Sequence, residues 1–395
     1  MDSQSQPNTR NLIAACSAIT VFGLAFGMTY PLLSLILEDR GVSVNMIGIN
    51  SAMMPIGILL FSPVIPVASK RFGSRIVAIV AAIVTAVLIL AYKLFDTLEA
   101  WFIIRLLQGM SMSTLFVLSE AWIVGFAGSE HRGKIVAIYA SVLSASFGAG
   151  PAIVSWIGIH GWAPFLIGAS VIAIGVLPLC LVREESTRQP EESSSSGFFQ
   201  FAPKAPMLLV AVLAFAVFDA ATLSLIPVYG VQTGLSVSTA ALALSVLIAG
   251  NIFLQLPLGW LADRFPHRIM IGGCALVTVI MLLLLPFAMN TIWMWPLMVI
   301  IGSTGFGVYT VSLASLGDRF TGQELVSGSA AFAVVLGIGA LLGSVSGGWA
   351  MSNFGPHGLP VSCAAVYLLL VVGLVVRGRS ASRSSKLRTP DEKGT

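Results

Sequence analysis

Twelve apolar runs, each about as long as a membrane-crossing helix, dominate the chain. A helix needs about 20 mostly apolar residues to cross about 30 Å of hydrocarbon. The runs fall at 12–36, 47–68, 76–94, 100–124, 135–157, 163–182, 205–230, 240–261, 269–289, 292–316, 325–350 and 357–376. Charged residues make up only 10% of the 395 positions, against about 25% in a soluble domain. An ordinary soluble protein is thereby excluded. So is a disordered chain, which needs low hydrophobicity and high charge. The first run is too long, and lacks a small-residue cleavage site, to read as a removable signal peptide. The predicted fold class is all-α membrane protein, with twelve transmembrane helices.

Charge placement predicts which way the spans run. With the N-terminus in the cytoplasm, 18 of the 21 Lys and Arg fall in inner loops or in the termini. Arg40 and Lys93 fall outside, and Arg105 falls within a span. This asymmetry predicts an even number of spans with both termini cytoplasmic, in the inner membrane of a cell. Trp101, Trp156, Trp162, Trp293, Trp295 and Trp349 lie near outer ends, and Trp122 and Trp260 near inner ends. That is an interfacial belt. The net charge of +4 raises nucleic acid as a partner, but loops between apolar runs account for it, and no nucleic acid is expected.

The longest polar interruption, 183–204, divides the chain in two. The expected organisation is a six-helix bundle over 1–182, a cytoplasmic linker over 183–204, a second six-helix bundle over 205–376 and a basic cytoplasmic tail over 377–395. The halves match at an offset of 193 residues. That shift pairs Thr29 with Thr222, Gly41 with Gly234, Gly57 with Gly250, Arg71 with Arg264, Arg75 with Arg268 and Gly109 with Gly302. Glycines and charges held in register across several spans indicate a repeat. Six spans per half preserve orientation, so the two bundles are related about an axis along the membrane normal, with a substrate site expected between them.

The stretch Gly259 to Arg268, GWLADRFPHR, resembles the loop signature of the major facilitator superfamily, and the chain resembles that family from about residue 12 to 377. The first-half copy, Pro66 to Arg75, carries Lys70 in place of the acidic residue, and the second carries Pro266 where Gly is usual. The resemblance implies alternating access and a cytoplasmic gate formed by Asp263, Arg264, Arg268, Arg71 and Arg75. Asp263 would face a helix N-terminus in the other half, near Arg132 and Gly133. The competing reading makes these charges topology anchors only. Arg105 to Gly109 resembles the family's R-x-x-x-G element, and Gly148, Gly150 and Pro151 resemble the hinge motif of drug exporters. Ser119 to Trp122 is similar to the YcaD-like branch of the superfamily.

Three charged residues within spans are candidates for proton coupling or substrate binding: Asp219, Arg105 and Glu120. Asp219 lies near the middle of its run, and its counterpart at the 193 offset is Phe26. An intramembrane carboxylate is a functional-site hypothesis by default; it can carry a proton or pair with a cationic substrate, or else bond a neighbouring helix. Arg105 can face a cavity or a partner helix, or snorkel to the nearby outer end. Glu120 stands 15 residues beyond Arg105, about 22 Å along a helix, so the two cannot pair. Gln108, Tyr139, Asn251, Gln255 and Tyr309 are candidate cavity-lining residues, with helix–helix hydrogen bonding as the alternative.

No cofactor or metal site is expected, and no enzyme motif appears at a recognisable spacing. The expected activity is secondary transport of a small organic solute: proton-coupled export of an amphiphilic compound, or alternatively uptake of a metabolite. A non-transporting membrane sensor or assembly partner on a transporter fold is the reading of another class. Small-molecule substrate, protons and the bilayer are the expected partners, and the chain is expected to act as a monomer.

Overall fold

The computed structural model describes residues 9–126, 132–180, 201–262 and 264–386. Among them are thirteen helices: α1 Thr9–Asp39, α2 Val44–Phe61, α3 Val64–Phe72, α4 Ser74–Leu94, α5 Leu98–Phe126, α6 Arg132–Ile157, α7 Ala163–Leu179, α8 Pro206–Gln232, α9 Val237–Ala262, α10 His267–Ala288, α11 Met294–Arg319, α12 Gly322–Phe354 and α13 Gly358–Lys386. Ten are long and apolar enough to cross a membrane, and two shorter apolar stretches, Ala163–Leu179 and Val237–Phe253, complete the twelve. The thirteenth, α3, comes from the second predicted span, which is broken after Phe61. Pro63 has no N–H to donate and its ring crowds the preceding turn, so the helix stops and restarts. Most of the predicted linker lies outside the described residues. So does the tail from 387 on, while α13 continues the last span to Lys386.

Apolar side chains turn outward, as lipid requires. Val80, Ile83 and Val87 on α4, Leu283, Leu284 and Phe287 on α10, and Leu369, Val372 and Val376 on α13 are all exposed.

Within the first half α1 packs on α6, α2 on α5, and α4 on both α5 and α7. Within the second, α8 packs on α12, α9 on α11, and α10 on both α11 and α13. The repeat is thus structural, and its matched residues make matched contacts. A Cβ on Gly57 would run into the carbonyl oxygen of Leu106, and one on Gly250 into that of Val299. The reverse contacts are Gly109 on Met54 and Gly302 on Leu247. All four partners obey the same offset, so each half has one crossing where backbones touch because neither helix carries a side chain there. Gly41 (φ 72°) and Gly234 (φ 99°) end α1 and α8 in the left-handed conformation that glycine adopts freely. The Val42 N–H donates to Leu37, and the Leu235 N–H to Gly230, closing the same cap.

The halves meet along α2 with α12, α6 with α9, and α1 with α8. Between described residues, the side-chain hydrogen bonds across this seam gather at one face, opposite the basic face where α1 begins and α13 ends. Gln232 Nε2 donates to Glu38 at 3.0 Å, the Asn45 N–H donates to Ser352 Oγ at 2.8 Å, and Ser238 Oγ donates to the Ser155 carbonyl at 2.8 Å. Below them the glycines at 48 and 348 bring α2 and α12 into close contact.

Candidate substrate and proton site

Asp219 lies midway along α8, about 20 Å from either end at 1.5 Å per residue. Its side chain is half-buried, and the buried Oδ1 has no hydrogen-bond partner among the described residues. Tyr30 of α1 and Tyr367 of α13 stand close enough to feel its charge. Tyr30 is fully buried and packs against Phe26, with ring centroids 4.7 Å apart and planes tilted by 41°. It lies within electrostatic range of both Asp219 and Arg105.

Arg105 does not snorkel. It is 0% exposed, with its guanidinium 4.9 Å from the centre of the Tyr30 ring. Nη1 donates to Asn50 Oδ1 on α2 at 2.8 Å. Nε and Nη2 find no partner among the described residues, nor does Asn50 Nδ2. Buried polar groups are nearly always paired, and an unpaired guanidinium in hydrocarbon is costly. One charged group from each half, Arg105 against the Tyr30 ring and Asp219 within electrostatic range of it, therefore has hydrogen-bonding capacity unused. Sequence reasoning named Arg105 and Asp219 but passed over Tyr30 and Asn50. The available signal was the repeat itself, since their counterparts are Leu223 and Ala243.

Gln108 is fully buried and its amide is committed. It accepts from the Tyr92 hydroxyl at 2.8 Å and donates to Thr29 Oγ1 at 3.1 Å. It braces the first bundle instead of lining open space. Tyr139 is buried, sharing a 2.8 Å hydrogen bond with Ser119. Tyr309 is half-buried and stacked on Phe215, and Asn251 is half-buried on α9. The Gln255 side chain lies outside the described residues. Glu120 is exposed, near the basic-face end of α5.

Of the loop charges, Asp263 lies outside the described residues. Arg75 donates to the Cys180 carbonyl at 2.6 Å, and Arg268 donates to the Leu374 carbonyl. Arg75 ties the start of α4 to the C-terminal end of α7, where unpaired carbonyls accept a cation, and Arg268 ties the start of α10 to a carbonyl within α13. Arg71 and Arg264 are exposed and lie over the neighbouring Phe72 and Trp260 rings. None of these four bonds crosses the seam. Gly148 faces Ile248 of α9 across it, whereas Gly150 packs against the Gly27–Met28 backbone of α1. Pro151 is buried within α6, which runs through it unbroken.

The family model of the Major Facilitator Superfamily matches residues 15–316 and again 208–394. The chain belongs to that superfamily. It is similar to the MFS-type transporter YfkF of Bacillus subtilis, 23% identical over 90% of this chain and 93% of that one. It is also similar to the MFS-type transporter YcaD of Escherichia coli, 24% identical over 92% and 96%. The nucleoside transporter NupG shares the fold, with a TM-score of 0.77 and 13% identity over 94% of this chain and 99% of that one. The chain is a multi-pass membrane transporter and not an enzyme, and small-molecule solutes are its cargo.

Proposed function

We propose that the chain couples proton movement to export of an amphiphilic organic compound, with Asp219 carrying the proton. The observation that carries this reading is the half-accessible Asp219 carboxyl at mid-membrane, unpartnered at Oδ1, beside a tyrosine that lies against Arg105 of the other half. A carboxyl with no fixed counter-ion can be neutralised by a proton or by a cationic group of the cargo, so the two compete for one place. Aromatic walls suit the apolar part of such a compound: Phe26 stacks on Phe147 in the first half, and Phe215 stacks on Tyr309 and meets Phe306 edge-on in the second. In this reading the basic face is cytoplasmic, both termini are inside, the two bundles rock as units and the chain acts as a monomer.

Uptake of a small anionic metabolite is the second reading. The two unpaired guanidinium nitrogens of Arg105 favour it, because they could hold a carboxylate or phosphate.

Purified protein in liposomes with an internal pH dye tests both. Lipophilic cations, neutral amphiphiles and organic anions are presented to wild type and Asp219→Asn. Export coupling predicts substrate-triggered proton movement in wild type and none in the variant. Unchanged coupling in Asp219→Asn would overturn the assignment. Anion flux lost in Arg105→Ala but intact in Asp219→Asn would establish uptake instead.

A further inference from the structure

We infer that Phe201 is a latch: it holds the inner end of α12 against α11 and back from α2, and so keeps the seam open on the basic face in this structure. The inference concerns how the halves close and depends on neither the cargo nor the direction of transport.

The polar stretch between the halves ends in a docked segment. Phe201 lies ahead of α8, yet it is only 1% exposed. Its ring meets that of Phe320 edge-on, with centroids 4.9 Å apart and planes at 65°. Phe320 closes α11, its N–H donating to the Leu316 carbonyl. On its other side the Phe201 ring lies over Gly328 of α12, where a Cβ would stand 2.9 Å from two ring carbons. The ring therefore fills a socket between the end of α11 and the first turns of α12. The Lys204 N–H donates to the Phe201 carbonyl at 2.9 Å, and the half-exposed Lys204 side chain pairs with Glu324 at the rim. The socket departs from the repeat: at the 193 offset Gly328 matches Ile135, Phe320 matches Ala127 and Glu324 matches His131.

The latch grips the side of α12 turned away from the first half. The seam side is marked by Gly337, which receives Leu59 of α2, and by Ser344 and Gly348, which pack against Gly48. Gly328 stands nine residues before Gly337, about two and a half turns, and so on the opposite side. The seam side continues toward the start of α12 through Val334, Ala333 and Val326, which lie three, four and eleven residues before Gly337. All three are exposed. The seam side of α12 is thus covered by α2 from the outer face to Gly337 and bare beyond it. On α6 the pattern repeats: Ser155 and Gly148 meet α9, while Ala145 and Ile138 on the same side are exposed. A helix gripped from behind and bare in front is held in the open position.

Labelling with a water-soluble maleimide tests the latch, in the full chain in detergent with its four native cysteines replaced by alanine. One reporter cysteine replaces Ala333 on the bare stretch, and another replaces Ser344, which is fully buried in the outer part of the seam. Without the latch α12 closes on α2 and the outer side opens. Phe201→Ala, which removes a buried ring, should raise labelling at 344 by at least about tenfold and lower it at 333. Lys204→Glu breaks an exposed ion pair and should shift both reporters the same way by up to about fivefold. The double variant Lys204→Glu with Glu324→Lys should restore the original rates. Unchanged labelling in Phe201→Ala would overturn the latch, and so would a rise at both positions, which would make Phe201 a brace of the fold. If Phe201→Ala yields no monodisperse protein, the ion pair decides. The latch then falls if Lys204→Glu does not move the reporters in opposite directions, or if the double variant does not restore them.

Discussion

The two halves share a skeleton and differ in what they bury. The backbone crossings at Gly57, Gly109, Gly250 and Gly302 coincide under the repeat, as do the caps at Gly41 and Gly234 and the carbonyl clamps of Arg75 and Arg268. The interiors diverge. The first half buries Tyr30, Asn50, Tyr92, Arg105 and Gln108. The equivalent positions of the second hold Leu223, Ala243, Leu285, Met298 and Ile301. The second half has instead one carboxylate, Asp219, where the first has Phe26. Positions that set helix distance cannot vary without moving the helices, so they keep the symmetry. Interior positions that do not set helix distance are free to diverge, and there one half has become polar and the other mostly apolar with a single acid.

The largest effects should come from breaking the shared part. Gly109→Val and Gly302→Val each force a branched side chain into a backbone contact, and overpacking of that kind costs more than a flexible core can absorb. Little monodisperse protein is expected from either by size-exclusion chromatography. If one variant runs as wild type while the other collapses, the two crossings are not equivalent and the comparison weakens.

Exchanging the interiors sharpens the contrast. Arg105→Met copies the second half into the first. It removes a guanidinium with two unpaired nitrogens, so thermal stability in detergent should stay within about 1 kcal/mol while transport fails. Met298→Arg does the reverse, burying a charge with no Asn or Tyr placed to receive it. It should cost about 2.5–3.5 kcal/mol, on the scale for an arginine at mid-helix, and lower the melting temperature clearly. Equal destabilisation by both would make Arg105 a structural brace and not part of a working site.

Much of the shared skeleton was legible in sequence because it depends on residue type at a fixed spacing. The offset of 193 picked out Gly57, Gly109, Arg75 and their counterparts, and hydropathy placed the spans. Asp219 was legible too, as a carboxylate deep in an apolar run. What was not legible depends on rotation about helix axes. Asn50 and Tyr30 read as ordinary span residues until the fold turns them toward Arg105. Gln108 looked free to line a cavity, but Tyr92 and Thr29 occupy it. The arginines of the loop motif looked like a gate between halves, yet Arg75 and Arg268 are bonded within their own bundles.

The smallest and most discriminating test uses a hydrogen bond that survived in both halves. Thr85 shares a 2.9 Å bond with Ser111 between α4 and α5, and Thr278 shares a 2.8 Å bond with Thr304 between α10 and α11. Both threonines also bond the carbonyl one turn back, at Ala81 and Cys274. Interhelical bonds of this kind average about 0.6 kcal/mol in membrane proteins. Thr85→Val and Thr278→Val keep the shape and remove the hydroxyl, so each should lower the melting temperature slightly and by the same amount. Transport should be unaffected, because neither pair touches the cluster around Tyr30. A loss of coupled flux in Thr85→Val alone would mean that the polar interior of the first half extends to this bond, and that the boundary between skeleton and site runs further from the seam than the buried residues indicate.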